Sequence, residues 1–307
     1  GMRKYDVSLV NAIRSKQYVK TIDGLDVTMK PVPDDDRENV LDPRILEIVI
    51  NKKKMFAEKA KTKGGISKER YRPDKVTYDL TTKEIDIDER LIPVRNHMID
   101  IFVHRPADAK GKLPVLVYLH GGGWTAGDHK LYSRQLDLVS ELANCVCVFP
   151  EYRLSPECPY PGPVNDCYGT VEWVAAHAEE LEIDTEKLMV AGDSAGGQLS
   201  TACVYRDAKG LIKRCFLIYP AVDLAHPDDS PYYRWSYDAY PIIPEQEEYM
   251  KSRVERIRKG TDGNAETSLY VQGRVSMKNP EVSVMWAHEE VIKRFPQTTV
   301  VSAEYDF

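Results

Sequence analysis

The sequence lacks the features of a membrane-spanning, secreted or nucleic-acid-binding protein. No apolar run in its 307 residues approaches the roughly 18 residues that a membrane-spanning helix needs. The N-terminal stretch GMRKYDVSLVNAIRSK has no apolar core of signal-peptide length. The net charge is −6 and no long basic cluster occurs, whereas nucleic-acid-binding domains carry a basic face. We therefore expect a soluble protein whose partners include neither a membrane nor a nucleic acid.

The patterns typical of metal and cofactor sites are also missing. The six cysteines include no Cys-x-x-Cys pair, the spacing common in zinc sites. Cys145, Cys147 and Cys215 lie in apolar, strand-like runs, where cysteine behaves as a small hydrophobic residue. No phosphate-binding loop or dinucleotide fingerprint occurs, and His288 in HEEVI lacks the second histidine of a zinc-protease helix. We expect a reduced, cytoplasmic protein with no cofactor and no metal.

Two regions of the chain differ in their hydrophobic pattern. Residues 1 to about 75 are polar with helical spacing, and Asp42 followed by Pro43 is typical of a helix start. We predict a helical N-terminal extension over 1–75 and a second domain over 76–307. In that domain, dense apolar runs alternate with helical patterns, which predicts a mostly parallel central sheet covered by helices on both faces. The strands are expected at 98–104, 113–120, 145–150, 187–194, 214–220 and 298–304, and the helices at about 130–143, 163–180 and 195–208.

The motif GDSAGG stands where one of these strands meets a helix. It fits Gly-x-Ser-x-Gly, the strained strand-to-helix turn that exposes a nucleophilic serine, here Ser194. Only three residues are fixed, so the motif alone also fits a helix start built from small residues. The strand before it and the helix SAGGQLSTACVYRD after it supply the context that the nucleophile turn requires.

The motif HGGGW (120–124) follows strand 113–120. A flexible glycine turn is the simpler interpretation. Three glycines also let backbone N–H groups point at one spot without a side chain in the way, as stabilisation of a tetrahedral oxyanion requires. Both motifs fall at the carboxyl ends of strands, where open α/β sheets place their sites.

Together and in this order, the motifs resemble those of the hormone-sensitive-lipase-like esterases of the alpha/beta-hydrolase fold. EYRLSPECPYPGPVND (151–166) is similar to the Tyr-Arg-Leu-x-Pro-Glu segment of that family, and the resemblance covers about residues 70–307. It implies a carboxylic-ester hydrolase that acts on short-chain acyl or acetyl esters of small molecules through an acyl-enzyme. It implies Ser194 as the nucleophile, the amides of Gly122, Gly123 and Ala195 as the oxyanion hole, Asp306 as the triad acid, and His120 as a structural residue.

The catalytic histidine of that family has no counterpart in the sequence. In this fold the order is serine, acid, histidine, yet only Phe307 follows Asp306 and all seven histidines precede it. A substitute base from within the chain is the less favoured alternative. The candidates for it are His226 and His288, which lie on either side of the insertion described below. We expect a truncated or interrupted chain without the last strand and helix of the fold, with 298–304 as an uncovered edge and with impaired activity.

Two functions therefore stay open at this point. One is a serine hydrolase whose base comes from a complementing C-terminal segment or from another histidine. The other is a non-catalytic, small-molecule-binding protein of hydrolase fold, receptor-like or a pseudoenzyme. A homodimer is compatible with either.

The segment from 223 to about 280 interrupts the alternation of strands and helices. It is rich in aromatic residues and then forms a charged helical pattern, and insertions of this length are commonly lids or binding loops. We predict a cap insertion here. Its aromatic residues fit the lining of an acyl pocket and packing within a lid equally well; they are Tyr232, Tyr233, Trp235, Tyr237 and Tyr240.

Overall fold

The computed structural model describes residues 7–59, 65–70, 79–258 and 263–307. Within these ranges no helix is long and apolar enough to cross a membrane. The helices and strands of the described residues are, in chain order, α1 (Val7–Lys16), β1 (Tyr18–Ile22), β2 (Leu25–Met29), α2 (Pro43–Lys59), α3 (Ser67–Arg70), β3 (Ile85–Val94), β4 (His97–Pro106), β5 (Leu113–Leu119), α4 (His129–Ala143), β6 (Val146–Pro150), α5 (Gly162–Ala176), β7 (Ile183–Asp193), α6 (Ala195–Arg206), β8 (Arg214–Ile218), α7 (Glu247–Arg258), α8 (Glu289–Ile292) and β9 (Gln297–Val301).

Seven of the strands form one sheet in the order β3-β4-β6-β5-β7-β8-β9. Strands β6, β5, β7, β8 and β9 run parallel to one another, while β4 pairs antiparallel with β6 and β3 pairs antiparallel with β4. The predicted mostly parallel sheet is confirmed. Strand β3 was not among the predicted strands, because it is an edge strand whose residues are mostly exposed and leave no dense apolar run.

Helices cover both faces of this sheet. Successive residues of a strand point to opposite faces, so Val115 and Val117 of β5 lie on one face and Leu116 on the other. Val115 and Val117 belong to the same buried cluster as Val171 of α5 and Leu199 of α6. Leu116 clusters instead with Leu136 of α4. Burial on both sides explains why the central strands are continuous apolar runs in the sequence.

The chain divides into two compact units. Among the described residues, the first contains 7–59, 235–258 and 304–307, and the second contains 65–70, 79–234 and 263–303 with the seven-stranded sheet. The first has a core of its own, built on Leu41, Met250, Val254 and Tyr305. The predicted boundary between residues 75 and 76 lies outside the described residues.

The N-terminal region contains the predicted helix start and also a hairpin that helical spacing did not indicate. Helix α2 begins at Pro43, and the Asp42 carboxylate accepts a hydrogen bond from the Arg44 amide at 2.8 Å. Strands β1 and β2 pair antiparallel around Asp23-Gly24, both with positive φ (49° and 80°). Asp-Gly is the sequence that favours such two-residue hairpin turns.

Candidate active site

Ser194 is the single residue between the end of β7 and the start of α6, at the turn that the GDSAGG motif predicts. Its φ of 53° and ψ of −117° are strained for a residue with a side chain. The turn is fixed from both sides, because the Ser194 amide donates to the Ile218 carbonyl at 2.9 Å and its carbonyl accepts from Gln198 and Ala221 at 3.1 Å each. Ser194 is partly exposed while the residues around it are buried. The fold therefore presents this serine at the carboxyl edge of the sheet.

Close approach of α6 to the sheet depends on a glycine at 196. A Cβ at this position would overlap the carbonyl group of Leu119 at the end of β5. The motif thus encodes the packing of the helix against a neighbouring strand as well as the turn itself.

We expect Gly196→Ala to lower the free energy of unfolding by about 1–3 kcal/mol, because an added methyl group in a filled space forces the backbone apart. Urea unfolding measures this. Gly65→Ala is the matched control, since a Cβ at Gly65 meets nothing within 4 Å. Equal stability of the two variants would contradict the close packing at 196.

The loop after β5 brings backbone amides to the same edge. Gly122 has a φ of 126°, and a Cβ there would overlap the carbonyl of Ala126. The Gly122 carbonyl accepts from the amides of Thr125 and Ala126 at 3.2 and 3.1 Å, which closes a tight turn. Within the described residues, the amides of Gly122, Gly123 and Ala195 donate to no acceptor. These three N–H groups therefore remain available as hydrogen-bond donors.

The Asp193 carboxylate ties this loop to the serine turn. Its Oδ1 accepts from the Tyr118 hydroxyl and from the Gly121 amide, both at 2.9 Å, and its Oδ2 accepts from the Tyr132 hydroxyl at 3.0 Å. Burial, and then the negative charge of Asp193, raise the pKa of both tyrosines far above the usual range. Asp193 is thereby the acceptor for three donors from β5, its loop and α4.

His120 is fully buried beneath the loop. Its Nδ1–H donates to the Gly121 carbonyl at 2.7 Å, and the Tyr152 hydroxyl donates to the His120 carbonyl at 2.7 Å. Its ring stacks on those of Tyr152 and Phe149, with centroids 4.2 and 5.3 Å away. Burial lowers the pKa of His120 to about 4, so the imidazole is neutral at neutral pH. These contacts support a structural role for His120.

Within the described residues, which include all seven histidines, none forms a hydrogen bond, ion pair or ring contact with Ser194. His226 Nδ1 accepts from the Asp228 amide at 3.3 Å and caps a short 3-10 helix. His288 precedes α8 as its N-cap residue. The two candidates for a substitute base thus cap short helical segments, and neither touches the serine.

Asp306 belongs to the first compact unit and Ser194 to the second. The Asp306 Oδ1 accepts from the Phe307 amide at 3.0 Å. Strand β9 ends at Val301, three residues before the predicted end of the strand. Tyr305, which directly precedes Asp306, is anchored within the first unit, because its hydroxyl donates to the Pro241 carbonyl at 2.8 Å. The role of Asp306 as a triad acid stays a prediction.

The aromatic residues of the insertion divide between two environments. Trp235, Tyr237 and Tyr240 pack in the core of the first unit with Met250. Tyr232 is 63% exposed. For the three core residues, packing within their own unit is therefore the better of the two interpretations.

The sequence motifs do not indicate that Asp193 accepts hydrogen bonds from Tyr118 and Tyr132. Asp193 directly precedes the serine, which marks it as relevant. The register of β5 and β7, which pairs Tyr118 with Ala191, brings Tyr118 to the same face as Asp193. That register is a property of the folded sheet, so the sequence motifs alone could not reveal it.

Known proteins match part of this chain. Carboxylesterase NlhH from Mycobacterium tuberculosis is 37% identical over 130 residues, 41% of this chain and 41% of that protein. An arylesterase from Saccharolobus solfataricus is 28% identical over 194 residues, 62% of this chain and 57% of that protein. The chain spans about half the length of the curated relatives that it matches.

Solved structures of esterases have the same fold. The hyperthermophilic esterase from Pyrobaculum calidifontis is 25% identical with a TM-score of 0.59, and the match covers 87% of this chain and 80% of that one. Carboxyl esterase 2 from Tuber melanosporum is 24% identical with a TM-score of 0.60 and the same coverage. A family profile described as alpha/beta hydrolase fold matches residues 116–307, more than half of the chain. With the sheet, the serine turn and the glycine loop in place, the chain belongs to the alpha/beta hydrolase fold family.

Proposed function

We propose that this protein is a carboxylic-ester hydrolase for short-chain acyl or acetyl esters of small molecules, with Ser194 as its nucleophile. The observation that carries the proposal is the strained backbone of Ser194 beside three amides without acceptors, at Gly122, Gly123 and Ala195. The names of the relatives, carboxylesterase and arylesterase, support the same reaction class. The substrate is a small-molecule ester, and the reaction needs no cofactor.

In the proposed reaction, Ser194 Oγ attacks the ester carbonyl carbon and gives its proton to a base. The carbonyl oxygen becomes an oxyanion and accepts hydrogen bonds from the amides of Gly122, Gly123 and Ala195. Each such donor contributes about 3–4 kcal/mol to stabilisation of the transition state. The positive end of the α6 dipole adds to this stabilisation. The alcohol leaves with a proton, and water then hydrolyses the acyl-serine.

Among the described residues no histidine contacts Ser194, so the base of this reaction needs a separate assignment. We propose that Asp306 orients a histidine supplied by a complementing C-terminal segment, and that residues 1–307 alone are impaired. Without its base, such a site keeps about 10³–10⁴-fold acceleration over water from the oxyanion hole and binding.

A non-catalytic, small-molecule-binding function is the second candidate. It is favoured by one observation, the lack of any contact between a histidine and Ser194 among the described residues. The two functions differ in whether Ser194 forms a covalent bond.

With imidazole added as the base, we expect the phosphate triester paraoxon to modify Ser194 with loss of p-nitrophenolate, because an oxyanion hole stabilises the phosphoryl oxygen as it does a carbonyl oxygen. Intact-mass spectrometry should detect one diethylphosphoryl group, which peptide mapping should assign to Ser194. Ser194→Ala is the negative control, and Ser200→Ala, which removes a buried serine of α6, should label like the unaltered protein. A protein that binds a small ester reversibly and never acquires the label would favour the binding function.

We further propose a reducing, cytoplasmic location. All six cysteines are unpaired, and five of them are buried. Buried thiols in apolar strands behave as small hydrophobic residues, and they persist most readily in a compartment that keeps thiols reduced.

A further inference from the structure

The hairpin formed by β1 and β2 is an incomplete sheet. Its register pairs Tyr18 with Met29, Lys20 with Val27 and Ile22 with Leu25, so these six residues share one face. Four of its five apolar members are exposed to water, among them Leu25 at 69% and Tyr18 at 53%. A lone two-stranded hairpin is at best marginally stable in water, and three or more strands are needed for independent stability.

The outer edge of β2 is open. Among the described residues, β2 pairs only with β1. The sequence of β2, LDVTM, has no proline, and its one charged residue is Asp26. Open strand edges pair with other strands unless proline, charge or a covering element prevents it. The side chains along this edge therefore determine which strand can pair with it.

Asp26 and Lys30 lie on the same face of the hairpin. Thr21 Oγ1 donates to Asp26 Oδ1 at 2.9 Å, across the Thr21–Asp26 pair of the register. Lys30 Nζ donates to Gln17 Oε1 at 2.9 Å, which extends the same register by one pair. A carboxylate and an ammonium group thus stand four residues apart on one edge.

We propose that a second copy of this chain pairs with it antiparallel along β2, with Thr28 on the two-fold axis. Asp26 then lies opposite Lys30 of the second copy, and Lys30 opposite its Asp26. Val27 lies opposite Met29 of the second copy, so the apolar faces of the two hairpins become one. Opposite charges and paired threonines directly across antiparallel strands are stabilising.

Other registers along the same edge fit less well. A one-residue slip sets the apolar face of one copy against the polar face of the other. Centring on Asp26 places two carboxylates opposite each other, which is destabilising. Centring on Val27 leaves Lys30 opposite Gly24 and forms no directly opposed ion pair. Pairing along β1 centred on Lys20 opposes two ammonium groups. The charges of β2 therefore select the register centred on Thr28.

Charge reversal tests this interface directly. Asp26→Lys and Lys30→Asp each place two like-charged pairs across the axis, so each should raise the dimer dissociation constant about tenfold or more in analytical ultracentrifugation. An equimolar mixture of the two variants should restore the dimer, because the heterodimer has two opposite-charge pairs again. Lys20→Asp, with the same charge change on β1, should leave the dimer unchanged. Circular dichroism checks that each variant is folded.

A cross-link provides the second measurement. Thr28→Cys places two thiols at the axis, and mild oxidation should yield a disulfide-linked dimer on a non-reducing gel. Val19→Cys, whose residue pairs with Thr28 but lies on the other strand, should not cross-link, nor should the unaltered protein. A protein that stays monomeric at every concentration overturns the proposal. So does a dimer that neither charge reversal weakens.

Discussion

Adding imidazole should raise the Ser194-dependent hydrolysis of p-nitrophenyl acetate by residues 1–307 about tenfold or more, since a positioned general base contributes about 10²–10⁴-fold and a free base recovers part of that. The reason is that Ser194 lies on a strained turn and the three amides have no acceptor, while no histidine contacts the serine in the described chain. Imidazole can enter the position of the base because Ser194 is partly exposed. The stimulation should increase with pH as imidazole loses its proton.

The control for this measurement is Ser194→Ala, because imidazole also cleaves activated esters in solution. The quantity of interest is the difference between the two proteins at each imidazole concentration. His226→Ala and His288→Ala should leave the stimulated rate unchanged. Loss of activity in either variant without imidazole would identify a base within the chain and would contradict the proposal that a separate segment supplies the histidine. No difference between the protein and Ser194→Ala at any imidazole concentration would favour the binding function.

Most of the sheet could be predicted from the sequence because strands that are buried on both faces consist of continuous apolar residues. Strands such as β5 and β6 have helices on both faces and appear as continuous apolar runs. Strand β3 has mostly exposed residues and therefore contains no continuous apolar run. The hairpin of β1 and β2 is exposed along nearly its whole length, so the Asp23-Gly24 turn was its clearest signal. The prediction failed at the exposed strands β1, β2 and β3, whereas the exposed strand β9 was found because its run of β-branched residues, Thr298 to Val301, favours a strand.

The site was predictable where chemistry requires fixed spacing, and not where it depends on register. Ser194 and the loop at Gly122 each belong to a short motif at the end of a strand. The partners of Asp193 are far apart in sequence, at Tyr118, Gly121 and Tyr132. They meet because β5 pairs with β7 and because α4 packs beside them. Sequence spacing does not encode these contacts, and only the folded chain reveals them.

Asp193→Ala should loosen the glycine-rich loop after β5 (120–127). The substitution leaves the buried Gly121 amide and two hydroxyl groups without their carboxylate acceptor, and we expect the free energy of unfolding to fall by about 3 kcal/mol. Hydrogen exchange followed by mass spectrometry should show faster exchange in peptides that cover 120–127, with little change in those that cover α5. Displaced amides should also weaken the imidazole-stimulated hydrolysis, by about 10²–10³-fold for each donor lost.

Two further variants separate positioning of the loop from general packing. Asp193→Asn keeps an acceptor oxygen for the Gly121 amide but turns an N–H group towards a tyrosine hydroxyl, so it should retain part of the protection of 120–127. Tyr132→Phe removes a hydroxyl that also accepts from the Gly121 amide at 3.2 Å, and it leaves the shorter bond from Gly121 to Asp193 intact. It should therefore lower stability but release the loop less than Asp193→Ala does. If Asp193→Ala destabilises the whole protein while exchange in 120–127 stays at the rate of the unaltered protein, the carboxylate serves packing alone. Faster exchange confined to the loop, together with weaker hydrolysis, would establish Asp193 as the residue that positions the oxyanion hole.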